Sequence, residues 1–383
     1  MSRFLFVVPP LVGHINPAVS VAAELVARGH RVAWAGLPRL VEELAGPEAE
    51  VFPCDIPGVV ERPAELRGAG ALQFLWQEFF VPLAEAMVPG VELAAREFRP
   101  DVIVADQQTL AGALVAERLG IPLATSSTTS AEFSQALASM PKIGEWIAGL
   151  TADLRRRFGD PARSHDPRLS PDLVLAFTSE ELAGDCEIPP QVHFVGPALT
   201  HRPAPPDFPW AWLDESRATV LVSLGTANTD VGARFLTECA AAVRARGRRI
   251  QAVIADPGGV LTDESDTDVL VLPLIPQLAL LERASAVISH AGHNTVAESL
   301  WHGVPLVVAP IRDDQPLIAG QVVAAGAGVR VRFGRGDRRT VGAALDAVLD
   351  EDGYRAAARR IGDSFRGAGG AAAAASHLEK LAL

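Results

Sequence analysis

Residues 286–298 read AVISHAGHNTVAE. An apolar, β-branched run that stops at Ser289 and turns through His290, Gly292, Asn294 and Thr295 toward Glu298 is a buried strand handing over to a helix. The same hand-over occurs at residues 102–112, VIVADQQTLAG, where Asp106 ends the apolar run. Each continues through a helix-like stretch into a similar next strand, LGIPLAT from Leu119 and HGVPLVV from His302. Strand, polar turn, helix, strand is the βαβ signature of a parallel sheet covered by helices. Two copies in one chain predict an α/β protein of two doubly wound units.

Working outward, the first unit shows strand-like residues 4–8, helix-like 18–27, strand-like 31–35 and 101–105, and a helix over 110–118. The second repeats the scheme with strands at 219–223 and 249–254 around a helix at 232–246, and a further strand at 305–309. The two first helices even end alike, in ARGHR and ARGRR. Between the units, GPALTHRPAPPDFPW (196–210) carries five prolines and no apolar periodicity, which reads as an extended linker. The predicted division is 1–195, a linker at 196–218, 219–365, and a tail at 366–383. That tail, with AGGAAAAASHLEKLAL, is a glycine break followed by good helix formers, able to pack in several places, including across the first unit. Residues 58–90, with Trp76, Phe79 and Phe80, and 125–149, with Phe133, Met140 and Trp146, do not read as plain βαβ elements. They are either core helices or the wall of a site for an apolar ligand.

Composition bounds the function. A chain of 383 residues suits two domains of roughly 150–200 residues and hence a cleft. Hydrophobic residues at 49% and charged ones at 21% describe a globular chain rather than a disordered one. The formal net charge is −12 and no Lys/Arg-rich block occurs, so a nucleic-acid partner is not expected. Cys54, Cys186 and Cys239 are far apart with no C-x-x-C pair, against a disulfide framework or zinc site and in favour of a cytoplasmic protein. The short apolar start ends in two prolines, unlike a signal peptide, and no segment has the uninterrupted apolar length of a membrane helix.

The chemistry-bearing residues fall at strand ends, where open parallel sheets bind ligands. PPLVGHINP (9–17) places His14 on the loop after the first strand, with Gly13 and Pro17 fixing its backbone. Asp106 ends a strand of the same sheet; alone it reads as the N-cap of the next helix. Paired with His14 it would hold the imidazole in the tautomer whose other nitrogen accepts a proton, a base for a hydroxyl nucleophile. In the second unit a helix opening with Gly292, Asn294 and Thr295 offers backbone N–H groups and a positive dipole end to phosphate, with His290 as a further donor. Glu298, one turn on, can accept from two vicinal hydroxyls such as those of ribose, or close a loose capping box with Thr295. Asp313, Asp314 and Gln315 after the strand at 305–309 suit a polyhydroxylated ligand or a solvated turn. SLGT (223–226) brings small residues to another strand end. Asp266-Thr267-Asp268 has the look of a metal-binding D-x-D, but it lies in an acidic turn, TDESDTD. The glycines at 326 and 328 form no G-x-G-x-x-G between strand and helix.

Together, GHINP, a strand-ending Asp, Pro276-Gln277, HAGHNT with an acid three residues on, and Asp314-Gln315 resemble the inverting sugar-nucleotide glycosyltransferases of the UDP-glucuronosyl/glucosyltransferase type. Within them they resemble the actinobacterial macrolide and antibiotic branch. The resemblance covers nearly the whole chain and implies a GT-B fold, two Rossmann-like domains facing a cleft. It implies His14 as catalytic base with Asp106 as its partner, and Gln277 and the backbone near Ile275 beside the nucleotide base. It further implies His290, Asn294 and Thr295 on the diphosphate, Glu298 on the ribose, Asp314 and Gln315 on sugar hydroxyls, and Thr226 on the phosphate side. The implied co-substrate is a UDP- or TDP-linked hexose or deoxyhexose, with no metal and a hydrophobic natural-product acceptor. Plant relatives carry Trp at the place of His293 and just before the Pro-Gln pair; this chain does not, so the resemblance fixes neither uracil nor thymine. Two other activities suit the same fold: a sugar-nucleotide epimerase, and a non-catalytic sugar-nucleotide-binding partner of a transferase.

Overall fold

Short runs such as RFLFV and VIVAD are apolar at every position rather than alternating, the pattern of strands covered on both faces. In the computed structural model, which describes all residues except 59, 61–62, 64–65, 67, 131–139, 185–187, 202–206, 226–231 and 262–264, they form two parallel sheets. The first contains β1 (Arg3–Val7), β2 (Arg31–Gly36), β3 (Val51–Pro53), β4 (Val102–Asp106), β5 (Leu123–Ser127), β6 (Leu173–Ala176) and β7 (Val192–Phe194), in the order β3-β2-β1-β4-β5-β6-β7. The second contains β8 (Ala218–Ser223), β9 (Ile250–Ala255), β10 (Val269–Leu272), β11 (Ala284–Ser289), β12 (Leu306–Val308) and β13 (Gly328–Arg330), in the order β10-β9-β8-β11-β12-β13. Both sheets start at an inner strand, build to one side, then cross to the other. The reversal therefore falls between β1 and β4 in one unit and between β8 and β11 in the other, the place where such sheets bind ligands.

In the first unit, helices Val12–Ala27 and Gly370–Leu381 cover one face, packing Ile15, Val21, Leu25, Ala374 and Leu378 on Phe4, Phe6 and Val104. Helices Val81–Phe98 and Leu110–Leu119 cover the other, on Leu5, Val7 and Ile103. In the second unit, Ala233–Arg244 and Arg338–Asp350 lie on one face. His293–Trp301, Gln315–Ala324 and Asp352–Gly367 lie on the other. The two compact units comprise Met1–Ser179, Cys186–Pro203 and Ala368–Leu383, and Glu180–Asp185 with Ala204–Gly367.

Two segments differ from their sequence reading. GHINP is not a loop: the first helix begins at Val12, so His14 lies in its first turn and Pro17 is buried inside the helix. A proline there lacks the N–H of the helix ladder, but its fixed φ is helical, so the helix runs through it. Residues 68–98 are helical throughout, with a π-helical turn at Trp76–Phe80. Trp76 and Phe80 are core residues, in a cluster with Leu110, Leu114, Ile147 and Leu154, and Phe79 is half-buried. Met140 and Trp146 are also half-buried, and Phe133 lies outside the described residues. Among the described residues, no helix is long and apolar enough to cross a membrane.

Candidate active site

The first turn of helix Val12–Ala27, which follows β1, brings His14 to Asp106 at the end of the neighbouring β4. His14 Nδ1 lies 2.9 Å from Asp106 Oδ2 and 3.1 Å from Oδ1. The carboxylate is 1% exposed and the imidazole 18%, so the acid is sealed behind a ring that still reaches the surface. An ionised carboxylate only accepts, so a nitrogen in contact with both its oxygens carries the proton, and the lone pair is on Nε2. The Gln108 N–H donates to Asp106 Oδ1 at 2.8 Å, and the Thr109 hydroxyl is 2.9 Å from both the Val7 and Asp106 carbonyls, tying β1 to β4. Thr109, not Asp106, is the N-cap residue of the helix that follows, and it makes no side-chain cap bond. Of the two readings of Asp106, the His14 partner is the one the geometry forms.

Sequence reasoning missed Thr128. One residue beyond β5, its hydroxyl is 2.7 Å from His14 Nδ1 and 3.4 Å from Asp106 Oδ2. The register of β4 with β5, which places Asp106 opposite Ser126, carries Thr128 past the carboxylate. The signal in sequence was the Ser/Thr run TSSTTS after the strand that neighbours VIVAD.

In the second unit His290 is buried just past β11. A Cβ on Gly225 would come within 2.8 Å of its Cε1, and one on Gly292 within 2.4 Å of its Nε2, so the ring lies in a cradle that only glycines allow. Ala291 makes the turn at φ 67, and its N–H donates to Ser289 Oγ at 3.1 Å. Burial, with a smaller push from the Arg312 charge, takes the His290 pKa down to about 4 against a hydrogen bond to the Ser223 backbone. The ring is therefore neutral near pH 7.

Gly292 precedes helix His293–Trp301 as its N-cap residue and has no side chain with which to cap it. The backbone N–H groups of such a first turn have no intrahelical partners, and Asn294 and Thr295 belong to it. Glu298 is buried, and with Gly292 as the N-cap residue it lies beyond the first turn of the helix. Its Oε2 accepts from Gln277 Nε2 at 2.6 Å, joining two of the expected nucleotide-side residues from different elements. The Gln277 N–H donates to the carbonyl of Ile275, whose half-buried side chain packs on the core. Asp314 is the N-cap residue of helix Gln315–Ala324, and Asp313 before it has φ 56. Gln315 Oε1 accepts from the Ile311 and Arg312 N–H groups at 2.9 and 3.0 Å, which fixes the orientation of the amide. Thr226 lies outside the described residues. His293 is buried at the first position of its helix.

Asp266 accepts from Arg244 and from the Asp268 and Val269 N–H groups, and Asp268 pairs with Arg217 at 2.6 Å. The D-x-D is a turn held by arginines. Among the described residues no three His, Cys, Asp or Glu side chains group as metal ligands would.

Residues 186–364 match the family described as UDP-glucoronosyl and UDP-glucosyl transferase, and 12–137 match the glycosyltransferase family 28 N-terminal domain. The chain is 30% identical to 4'-demethylrebeccamycin synthase of Lentzea aerocolonigenes, over 95% of this chain and 96% of that one. It is 28% identical to demethyllactenocin mycarosyltransferase of Streptomyces fradiae, over 100% and 87%. The glycotransferase of kitacinnamycin has a similar structure, with a TM-score of 0.84 at 27% identity over 99% and 98% of the two chains. The fold, GT-B, is shared with the calicheamicin glycosyltransferase CalG4, at a TM-score of 0.81 and 23% identity. Similarity that runs the whole length of the chain, on a fold whose strand ends carry this set of residues, shows that the protein is a glycosyltransferase and belongs to the UDP-glucoronosyl and UDP-glucosyl transferase family.

Proposed function

We propose that the protein transfers a hexose or deoxyhexose from a UDP- or TDP-linked donor to a hydroxyl of a hydrophobic natural product, with inversion and without a metal ion. The observation that carries this reading is the buried Asp106 carboxylate on His14 Nδ1 at the β1/β4 reversal. His14 Nε2 takes the proton of the acceptor hydroxyl as its oxygen attacks the anomeric carbon of an α-linked donor. The bond to the diphosphate breaks, and a β-glycoside forms. Asp106 stabilises the imidazolium that results. Charge growing on the leaving diphosphate meets the N-terminus of helix His293–Trp301, with His290 beside it. Gln277 and Glu298 serve the nucleoside, Asp314 and Gln315 the sugar, and Thr226 the phosphate side.

In this assignment residues 1–195 hold the acceptor and the base, 219–365 hold the donor, and 196–218 link them. Buried thiols at Cys54 and Cys239 support a cytoplasmic setting. The names of two relatives, a 4'-demethylrebeccamycin synthase and a demethyllactenocin mycarosyltransferase, support an antibiotic-type acceptor here.

The test is His14→Ala. Turnover of nucleotide sugar with a panel of phenolic and macrolide acceptors should fall roughly 10²–10⁴-fold while calorimetric nucleotide binding is kept. Unchanged turnover would remove His14 as base. Conversion of the nucleotide sugar to its epimer without an acceptor would favour an epimerase, and binding with neither release nor conversion a non-catalytic partner.

A further inference from the structure

His14 Nδ1 lies against both Asp106 oxygens and the Thr128 hydroxyl, and of these the hydroxyl is the nearest at 2.7 Å. Thr128 is 4% exposed, so this hydroxyl is sheltered from water and its interactions are not averaged away. With the proton on Nδ1, Thr128 Oγ1 accepts a share of it and its own O–H is directed to Asp106 Oδ2, 3.4 Å away. The path from Nδ1 through Oγ1 to Oδ2 is a closed ring linking imidazole, hydroxyl and carboxylate.

We propose that Thr128 is a positioning residue for the base, its hydroxyl completing a three-membered His14–Asp106–Thr128 network that fixes the imidazole tautomer and stabilises the imidazolium. This rests on His14 being the base. The hydroxyl, one residue beyond the neighbouring strand β5, adds a hold on Nδ1 that does not come from the carboxylate. When Nε2 takes a proton, the Nδ1–H becomes a stronger donor, and two kinds of oxygen share the added charge. The hydroxyl also distinguishes this role from simple filling of space, because valine has the same shape without the oxygen.

The test uses the full chain and compares Thr128→Val with Thr128→Ser. Thr128→Val is expected to lower kcat about 10-fold, since hydrogen bonds to charged groups are worth about this much when buried. It should also shift the acid limb of the kcat/KM profile down by about one pH unit, because the imidazolium loses an acceptor. Thr128→Ser should restore both, and the dissociation constant for the nucleoside diphosphate should be unchanged in each. If Thr128→Val does not fold, Thr128→Ala takes its place, with the same shift required. A lowered kcat with the wild-type pH profile would reduce Thr128 to packing, and a raised donor KM with an unmoved acid limb would make it a sugar contact; either overturns the proposal. His14→Ala separates the two ideas. If that variant retains turnover, the base assignment itself fails; if it is inactive while Thr128→Val keeps the wild-type profile, only the network fails.

Discussion

A single methyl group at position 225 tests how the proposed phosphate side of the second unit is built. Gly225 has φ 72, where an L side chain is strained by roughly 1–2 kcal/mol, and its Cβ would meet the His290 ring at 2.8 Å. Gly225→Ala should therefore lower the melting temperature modestly and weaken nucleoside diphosphate binding about 10-fold or more by displacing the ring. Wild-type affinity in a calorimetric titration would show that His290 does not need its cradle. Residues of this kind divide by how they announce themselves. Asp106 and His290 stand out in sequence because a polar side chain at the end of an apolar run is costly unless it is paired, and His14 because it follows Gly13 in a turn-like stretch. Thr128 and Gly225 do not, since the first acts through the register between β4 and β5 and the second through a distance of closest approach. Neither quantity exists in one dimension.

At the scale of elements, a hydrogen bond from Gln277 to Glu298 ties the short helix Gln277–Leu281 to helix His293–Trp301. Glu298→Ala removes the carboxylate and strands a partly buried amide, a loss of about 1–3 kcal/mol in this setting. Binding of the nucleotide sugar should weaken roughly 10-fold or more, with kcat at saturating donor little changed. Calorimetry showing full affinity would take Glu298 away from the nucleoside. The βα rhythm that placed these elements was legible because covered parallel strands are short apolar runs bounded by turns. The start of the first helix was not, because Pro17 reads as a breaker although it is buried within the helix. The helical stretch over 68–98 was also obscured, because its sides pack against different clusters and no single apolar stripe dominates.

At the scale of the molecule, the chain does not divide once. Helix Gly370–Leu381 follows the whole second unit yet packs on Val12–Ala27 of the first. Arg28 reaches Ser376, Glu379 and the Ala372 carbonyl, His30 reaches Glu379, and the Gly370 N–H donates to the Val195 carbonyl. Leu378 is fully buried there, so Leu378→Ala should cost about 2–5 kcal/mol. Thermal unfolding should show this as a lowered transition with acceptor turnover failing at lower temperature, while nucleotide binding at low temperature stays as in the wild type. An unshifted transition would mean that the helix adds little to the first unit.

That helix also sets an order of events. On the ribosome, β1 and the helix bearing His14 emerge early, but the apolar face formed by Phe4, Ala18, Val21 and Leu25 lacks its cover until residues 371–378 have been made. The second unit, contained between those segments, can close around its own core first. The first unit is thus the last to be finished, and a chain stalled or cut before residue 370 would leave a second unit able to fold and a first unit with an open, aggregation-prone flank.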